Sequence, residues 1–180
     1  MLEVIKLTRD ELCKSIYEIA HLKGTFKLRS GQISSEYFDK YLFESNPLIL
    51  REIAKYLAKQ IPEDTEVLAG LEMGGIPIAT ALSLETGIPV VFVRKKAKDY
   101  GTCKLAEGTD IKNKRVCIIE DVVTTGGQIL LGSEDLKGFE AILGTVLCVI
   151  ERAPEGRRNL QEIGLELKAL FTMEELKKYE

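Results

Sequence analysis

Two hydrophobic periods divide the chain. After a Thr8-x-x-Glu11 capping box, Leu12, Ile16, Ile19 and Ala20 recur at helical spacing, and Gly24 is expected to close that helix. A short strand is expected over residues 36–42. Asn46-Pro47, a cap residue followed by a first-turn proline, opens a second helix whose period runs through Leu57 and stops before Pro62. From there the apolar positions come in short runs, predicting strands over residues 66–71, 89–94, 116–121, 141–151 and 165–171. A Gly74-Gly75 turn leads from the first of these into a helix reaching about Glu85. Thr172-x-x-Glu175 caps a short terminal helix. Val116-Cys117-Ile118-Ile119 is apolar on both faces, as strands of a covered parallel sheet are. Such alternation predicts an α/β fold with a mainly parallel central sheet flanked by helices. No repeat, low-complexity tract or linker appears, so residues 1–180 are expected to form one domain.

The densest chemistry lies at residues 116–127, which read VCIIEDVVTTGG. A buried strand is expected to end in Glu120 and Asp121, at the sheet end where open α/β proteins bind ligands. Val122 and Val123 follow, then Thr124, Thr125, Gly126 and Gly127 form a small polar turn before a helix. Such a turn offers backbone N–H groups and two hydroxyls to a phosphate. Carboxylates suit sugar hydroxyls, so together the segment fits a ribose 5-phosphate. No Lys follows Gly127 as a P-loop requires, and GxGxxG is absent. An ordinary strand-to-helix turn with a solvated acidic pair is the plainer alternative.

Composition narrows the class. A hydrophobic content of 45%, 29% charged residues and a formal net charge of −3 describe an ordinary soluble chain and argue against general nucleic-acid binding. No apolar run approaches a membrane span, and the charged start MLEVIKLTRDELCK does not read as a secretory leader. Cys13, Cys103, Cys117 and Cys148 lack CxxC spacing and read as free thiols in a reducing cytoplasm. His21, the one histidine, has no metal-ligand neighbours in sequence. Against the acidic balance stands Arg94-Lys95-Lys96-Ala97-Lys98-Asp99-Tyr100-Gly101, at the start of a poorly apolar stretch reaching about Lys114. Long segments of that kind are commonly functional.

Taken in order, Phe26-x-Leu28-Arg29-Ser30-Gly31, Tyr37-Phe38, the GLEMGGIP turn at residues 70–77, Arg94-Lys95-x-x-Lys98, the 116–127 signature and Glu151-Arg152 resemble the orotate phosphoribosyltransferases. These are type I phosphoribosyltransferases, and the resemblance extends over nearly the full chain. It implies the type I fold with a small N-terminal hood. It also implies transfer of the phosphoribosyl group of phosphoribosyl diphosphate (PRPP) to orotate, giving orotidine 5′-monophosphate and diphosphate with Mg²⁺. Glu120, Asp121, Val122, Val123, Thr124, Thr125, Gly126, Gly127 and Gln128 would bind the ribose and its 5-phosphate. Arg94, Lys95, Lys98 and Tyr100 would serve the diphosphate, and Arg29, Tyr37, Phe38, Thr124 and Arg152 the orotate. Lys98, Glu120 and Asp121 are the catalytic candidates. No direct protein ligand to the metal is implied: Mg²⁺ would be carried by PRPP, near Asp121. A cytoplasmic homodimer with shared active sites is implied, with Arg94, Lys98 and Tyr100 reaching across to the partner and Lys95 serving its own site.

Several positions depart from the family pattern. Met73-Gly74 stands where Tyr-Lys is common, so a diphosphate-binding lysine is missing. Tyr100 replaces a common histidine, and Arg29 a common lysine. The helix after the signature is expected to be short and interrupted at Gly132 and Gly138. A transferase for another nucleobase and a non-catalytic PRPP-sensing regulator are the alternatives; Arg29 and Arg152 favour a carboxylate-bearing base over the first.

Overall fold

The computed structural model describes residues 6–27, 31–95 and 105–180. Thr8 closes the capping box on α1 (Arg9–Ala20), whose apolar stripe of Leu12, Ile16 and Ala20 is wholly buried. The helix ends at Ala20, not at Gly24. Residues from His21 on are extended in β1 (His21–Lys27), which pairs antiparallel with β2 (Ile33–Phe38) as a separate two-stranded sheet. Gly24 therefore lies within a strand. The strand expected over residues 36–42 is also displaced: Asp39 caps a one-turn helix, α2 (Lys40–Glu44), by accepting the Tyr41 N–H. An Asx cap outcompeted the extended pattern there.

Asn46 accepts two first-turn amides of α3 (Pro47–Ala58), a cap of about 1 kcal/mol. The central sheet then assembles from β3 (Val67–Leu71), β4 (Val90–Val93), β5 (Ala106–Gly108), β6 (Arg115–Val123), β7 (Ile142–Glu151) and β8 (Glu166–Thr172). Its order is β5-β4-β3-β6-β7-β8, parallel except for the antiparallel edge β5. That edge falls inside the stretch expected to be irregular. One extra residue in β7, at Gly144, shifts its register against β6 between Val116 and Cys117.

α4 (Glu72–Thr86) follows β3 without a loop, so Gly74 and Gly75 form the first turn of a helix and not a separate turn. Their intrinsic helix cost, about 1 kcal/mol each, is accepted for proximity: a Cβ on Gly75 would overlap the Ile119 carbonyl of β6. α5 (Gly127–Gly138) runs unbroken through Gly132, which rests on Leu71 where a larger residue would crowd it. α6 (Pro154–Glu162) has no counterpart in the hydrophobic pattern. Met173–Leu176 forms α7 behind its Thr172 capping box. Helices α1, α3 and α4 cover one sheet face over Leu68, Cys117, Ile119 and Leu147, while α5 and α6 cover the other over Ala69, Ile118, Val146 and Cys148. Burying each of these aliphatic side chains contributes about 1.5–3 kcal/mol.

Candidate functional site

At the middle of the sheet two neighbours part company. β3 continues through α4 to β4 on one side, and β6 through α5 to β7 on the other. Their carboxyl ends thus flank a switch-point crevice, where this architecture leaves room for a ligand.

β6 extends through Val123, two residues beyond the expected end, so the acidic pair lies inside the strand. Thr124 and Thr125 are exposed beyond it. Gly126 then takes a left-handed φ of 77° at the start of α5, which has no side-chain cap. Uncapped first-turn amides beside two hydroxyls are a ready anion site. α6 holds this turn from behind. Asn159 Nδ2 donates to the Thr125 carbonyl at 2.9 Å, and Gly156 lies against the Thr124 carbonyl too closely for any side chain. A cavity of about 460 Å³ opens along residues 122–129, with Lys40 and Glu120 on its border.

The acidic pair is not solvated. Asp121 is fully buried and Glu120 nearly so. Lys40 Nζ, from α2, lies 2.5 Å from Asp121 Oδ2, while Oδ1 accepts the Val122 N–H at 2.5 Å. Glu44, also buried on α2, comes against the same group. Burial, then the charge of Asp121, pushes the Glu44 pKa up to about 9. Burial and the hydrogen bond with Asp121 likewise raise Glu120 well above the usual range. Burial opposes ionisation of Asp121, yet hydrogen bonds from Glu120 and Lys40 and the lysine charge hold its pKa below the ordinary value. Two carboxyls held toward protonation thus surround one ion pair, which limits the cost of burying charge. Gly74 faces the same cluster: a Cβ there would fall on the Asp121 carboxylate.

On the other side of the crevice, Arg152 follows β7 and ties its backbone to β6 by donating its N–H to the Val123 carbonyl at 2.8 Å. Glu151 is neutralised by Arg157 through two bonds of 2.6 and 2.9 Å, and Arg157 also donates to the Leu167 carbonyl. Arg152 makes no ion pair among the described residues. Its exposed side chain shares a cavity of about 530 Å³ with Tyr37 and Phe38 of the β1–β2 hairpin and with His21. The hairpin is braced by a Phe26–Tyr37 ring contact and by His21 Nε2 at 2.9 Å from Glu36.

A third cavity, about 640 Å³, joins Glu72 and Met73 to Arg94, Lys95 and Glu107. Glu72 adopts a left-handed φ of 51°, which lets α4 start directly at the strand end. Arg29, Lys98 and Tyr100 lie outside the described residues. Among the described residues no group of three His, Cys, Asp or Glu could hold a metal ion. The fold places Glu120 and the turn residues on one cavity with Asp121 buried behind, Tyr37, Phe38 and Arg152 on a second, and Arg94 and Lys95 on a third. Lys40, Glu44 and Asn159 escaped the sequence reading. Only the Asp39-Lys40 pair after the aromatic doublet offered a local hint, and nothing local tied it to residue 121.

Comparison with known proteins bears on the family and the fold. Residues 43–166 match the phosphoribosyl transferase domain family. The chain is 48% identical to an orotate phosphoribosyltransferase of Nocardioides sp. over 165 residues, covering 92% of each protein. It is 40% identical to that of Methanocella arvoryzae, covering 94% of this chain and 97% of the relative. The crystal structure of Mycobacterium tuberculosis H37Rv orotate phosphoribosyltransferase in complex with Fe(III) dicitrate superposes with a TM-score of 0.85 at 26% identity. That match covers 93% of this chain and 98% of the other.

Proposed function

We infer the working of this site from one premise: the chain belongs to the orotate phosphoribosyltransferase family. The enzyme transfers the 5-phosphoribosyl group of PRPP to orotate in pyrimidine biosynthesis. The observation that carries the assignment of roles is the switch-point crevice, with an uncapped helix start, buried carboxyls and an arginine that has no ion pair among the described residues arranged around it.

In this reading the amides of Gly126, Gly127 and Gln128 and the hydroxyls of Thr124 and Thr125 hold the 5-phosphate, with Val122 and Val123 forming the wall beside them. Glu120 and Asp121 receive the ribose hydroxyls. Arg152 forms a guanidinium fork on the orotate carboxylate, a planar anion suited to it. Arg29, the Tyr37-Phe38 backbone and Thr124 complete the base side. Orotate N1 then attacks the anomeric carbon as the bond to the diphosphate oxygen breaks. Positive charge develops on the ribose and negative charge on the leaving group, so positioning and fixed charges supply most of the rate. Arg94, Lys95, Lys98 and Tyr100 neutralise the departing diphosphate, and Lys98 acts mainly at the transition state.

Magnesium ions usually keep waters and substrate phosphates as ligands, with one or two carboxylates. An ion carried in on PRPP would be approached by Asp121 through water, since Asp121 Oδ2 pairs with Lys40 and Oδ1 accepts the Val122 N–H. When bound, it would screen the diphosphate charge. We also assign residues 1–180 to one catalytic domain and the active form to a homodimer. Supporting the dimer, exposed Phe92 and Met73 lie beside Arg94 and Lys95. The buried free thiols of Cys13, Cys117 and Cys148 support a cytoplasmic enzyme, and no described helix is long and apolar enough to cross a membrane.

The test is loss of orotate absorbance with PRPP, with and without Mg²⁺, alongside diphosphate release. Metal-dependent loss of orotate matched by diphosphate is expected. Turnover of a different base would reassign the substrate, and PRPP binding without turnover of any base would point to a sensor.

A further inference from the structure

Lys40 lies outside every segment that marks the ribose-phosphate site, yet among the described residues its ammonium is the cation paired with the signature carboxylate Asp121. Two features fix it there. Asp39 caps α2 through the Tyr41 N–H, which sets the first residue of that helix against the end of β6. Nζ then meets Asp121 Oδ2 at 2.5 Å, with Asp121 wholly buried and the lysine side chain one-third exposed, 34%, on the cavity that runs along the phosphate turn. The lysine thus spans the buried carboxylate and the open site.

Gly74 gives an independent reason why the cation comes from α2. Its missing side chain would point at the same Asp121 oxygen, and the carboxylate already fills that space. A cationic side chain at Gly74 would displace the Asp121 carboxylate. Oδ1 is held by the Val122 N–H, and Lys40 supplies the cation for Oδ2 beside two buried carboxyls, Glu44 and Glu120.

We propose that Lys40 is a positioning residue for PRPP: its ion pair locks the Asp121 carboxylate in the orientation that receives the ribose hydroxyls. The proposal rests on the phosphoribosyl-transfer reading above. A neutral side chain of similar length would leave the cavity intact but release the carboxylate. An arginine could reach it from the same helix and restore the lock in part.

The experiment compares wild type, Lys40→Met and Lys40→Arg by calorimetric PRPP affinity without orotate and by steady-state kinetics. Lys40→Met is expected to lower kcat/KM for PRPP by roughly 100-fold, as loss of a charge-assisted bond in a buried site does, and to weaken PRPP binding. The orotate KM should stay within about twofold, and Lys40→Arg should recover most of the loss. Unchanged PRPP parameters in Lys40→Met would overturn the proposal. So would equal losses toward both substrates with no rescue by arginine, which describe a structural lysine. If Lys40→Met fails to fold, Lys40→Gln takes its place, and unchanged PRPP parameters in that variant overturn the proposal equally. Should wild type bind PRPP but leave orotate untouched, the orotate assignment falls, while the calorimetric comparison still decides the role of Lys40.

Discussion

Glu44 makes a pH-dependent contribution to stability whose sign and size follow from its surroundings. Its pKa rises from 4.5 to about 9 in the folded chain, through burial first and the Asp121 charge second. Between those values the unfolded chain has released the proton and the folded chain still holds it. Folding stability therefore falls by about 1.4 kcal/mol for each pH unit in that window. The favourable contribution is complete below the unfolded pKa and is lost as pH rises toward the folded one, so that about 3 kcal/mol is gone by roughly pH 7. Glu44→Gln keeps the shape and removes the titration. It should match wild type near about pH 4 and exceed its stability by about 3 kcal/mol near about pH 7. Lys40, Asp121 and Asp39 also face Glu44 and remain in both proteins, so the difference between the two curves reports position 44 and its coupling to Asp121. Urea unfolding across this range reads the effect as a midpoint shift on the order of 1 M or more at neutral pH. A stability difference that stays constant with pH would refute the buried, protonated carboxyl.

Two further outcomes concern the substrates. Arg152→Ala should raise the orotate KM by roughly 10- to 100-fold with PRPP affinity nearly unchanged, measured by initial rates and calorimetry. Selective loss of PRPP binding would place the base elsewhere. Lys98→Ala should lower kcat more than PRPP affinity, because the loop charge acts on the leaving diphosphate; unchanged turnover at saturating substrates would remove that role.

How far the sequence could be read depended on the range of the interactions involved. α1, α3 and α7 were legible from their caps, since Thr8, Asn46 and Thr172 act on amides two or three residues away. The parallel strands were legible because burial on both faces leaves continuous apolar runs, as in β6 and β7. Errors gathered where local and distant signals compete. Gly24 reads as a helix stop, but pairing with β2 decides its place. Gly74 and Gly75 read as a turn, whereas close packing of α4 on Ile119 and Asp121 explains them. α6 was missed because it is short and strongly polar: Gly156 and Leu160 are its only buried residues, too few to mark a helical stripe.

The chemistry of the site divides in the same way. The order of motifs along the chain was enough to single out the Thr-Thr-Gly-Gly turn, the acidic pair and Arg152 as candidates, because each is a short local device whose residue types suit a ligand. The tertiary structure decided the electrostatics. It buried Asp121, drew Lys40 and Glu44 onto it from α2, and set Arg157 on Glu151 while leaving Arg152 without an ion pair among the described residues. Those charges lie far apart in sequence, and the strength of their coupling depends on separation and burial that no linear pattern records.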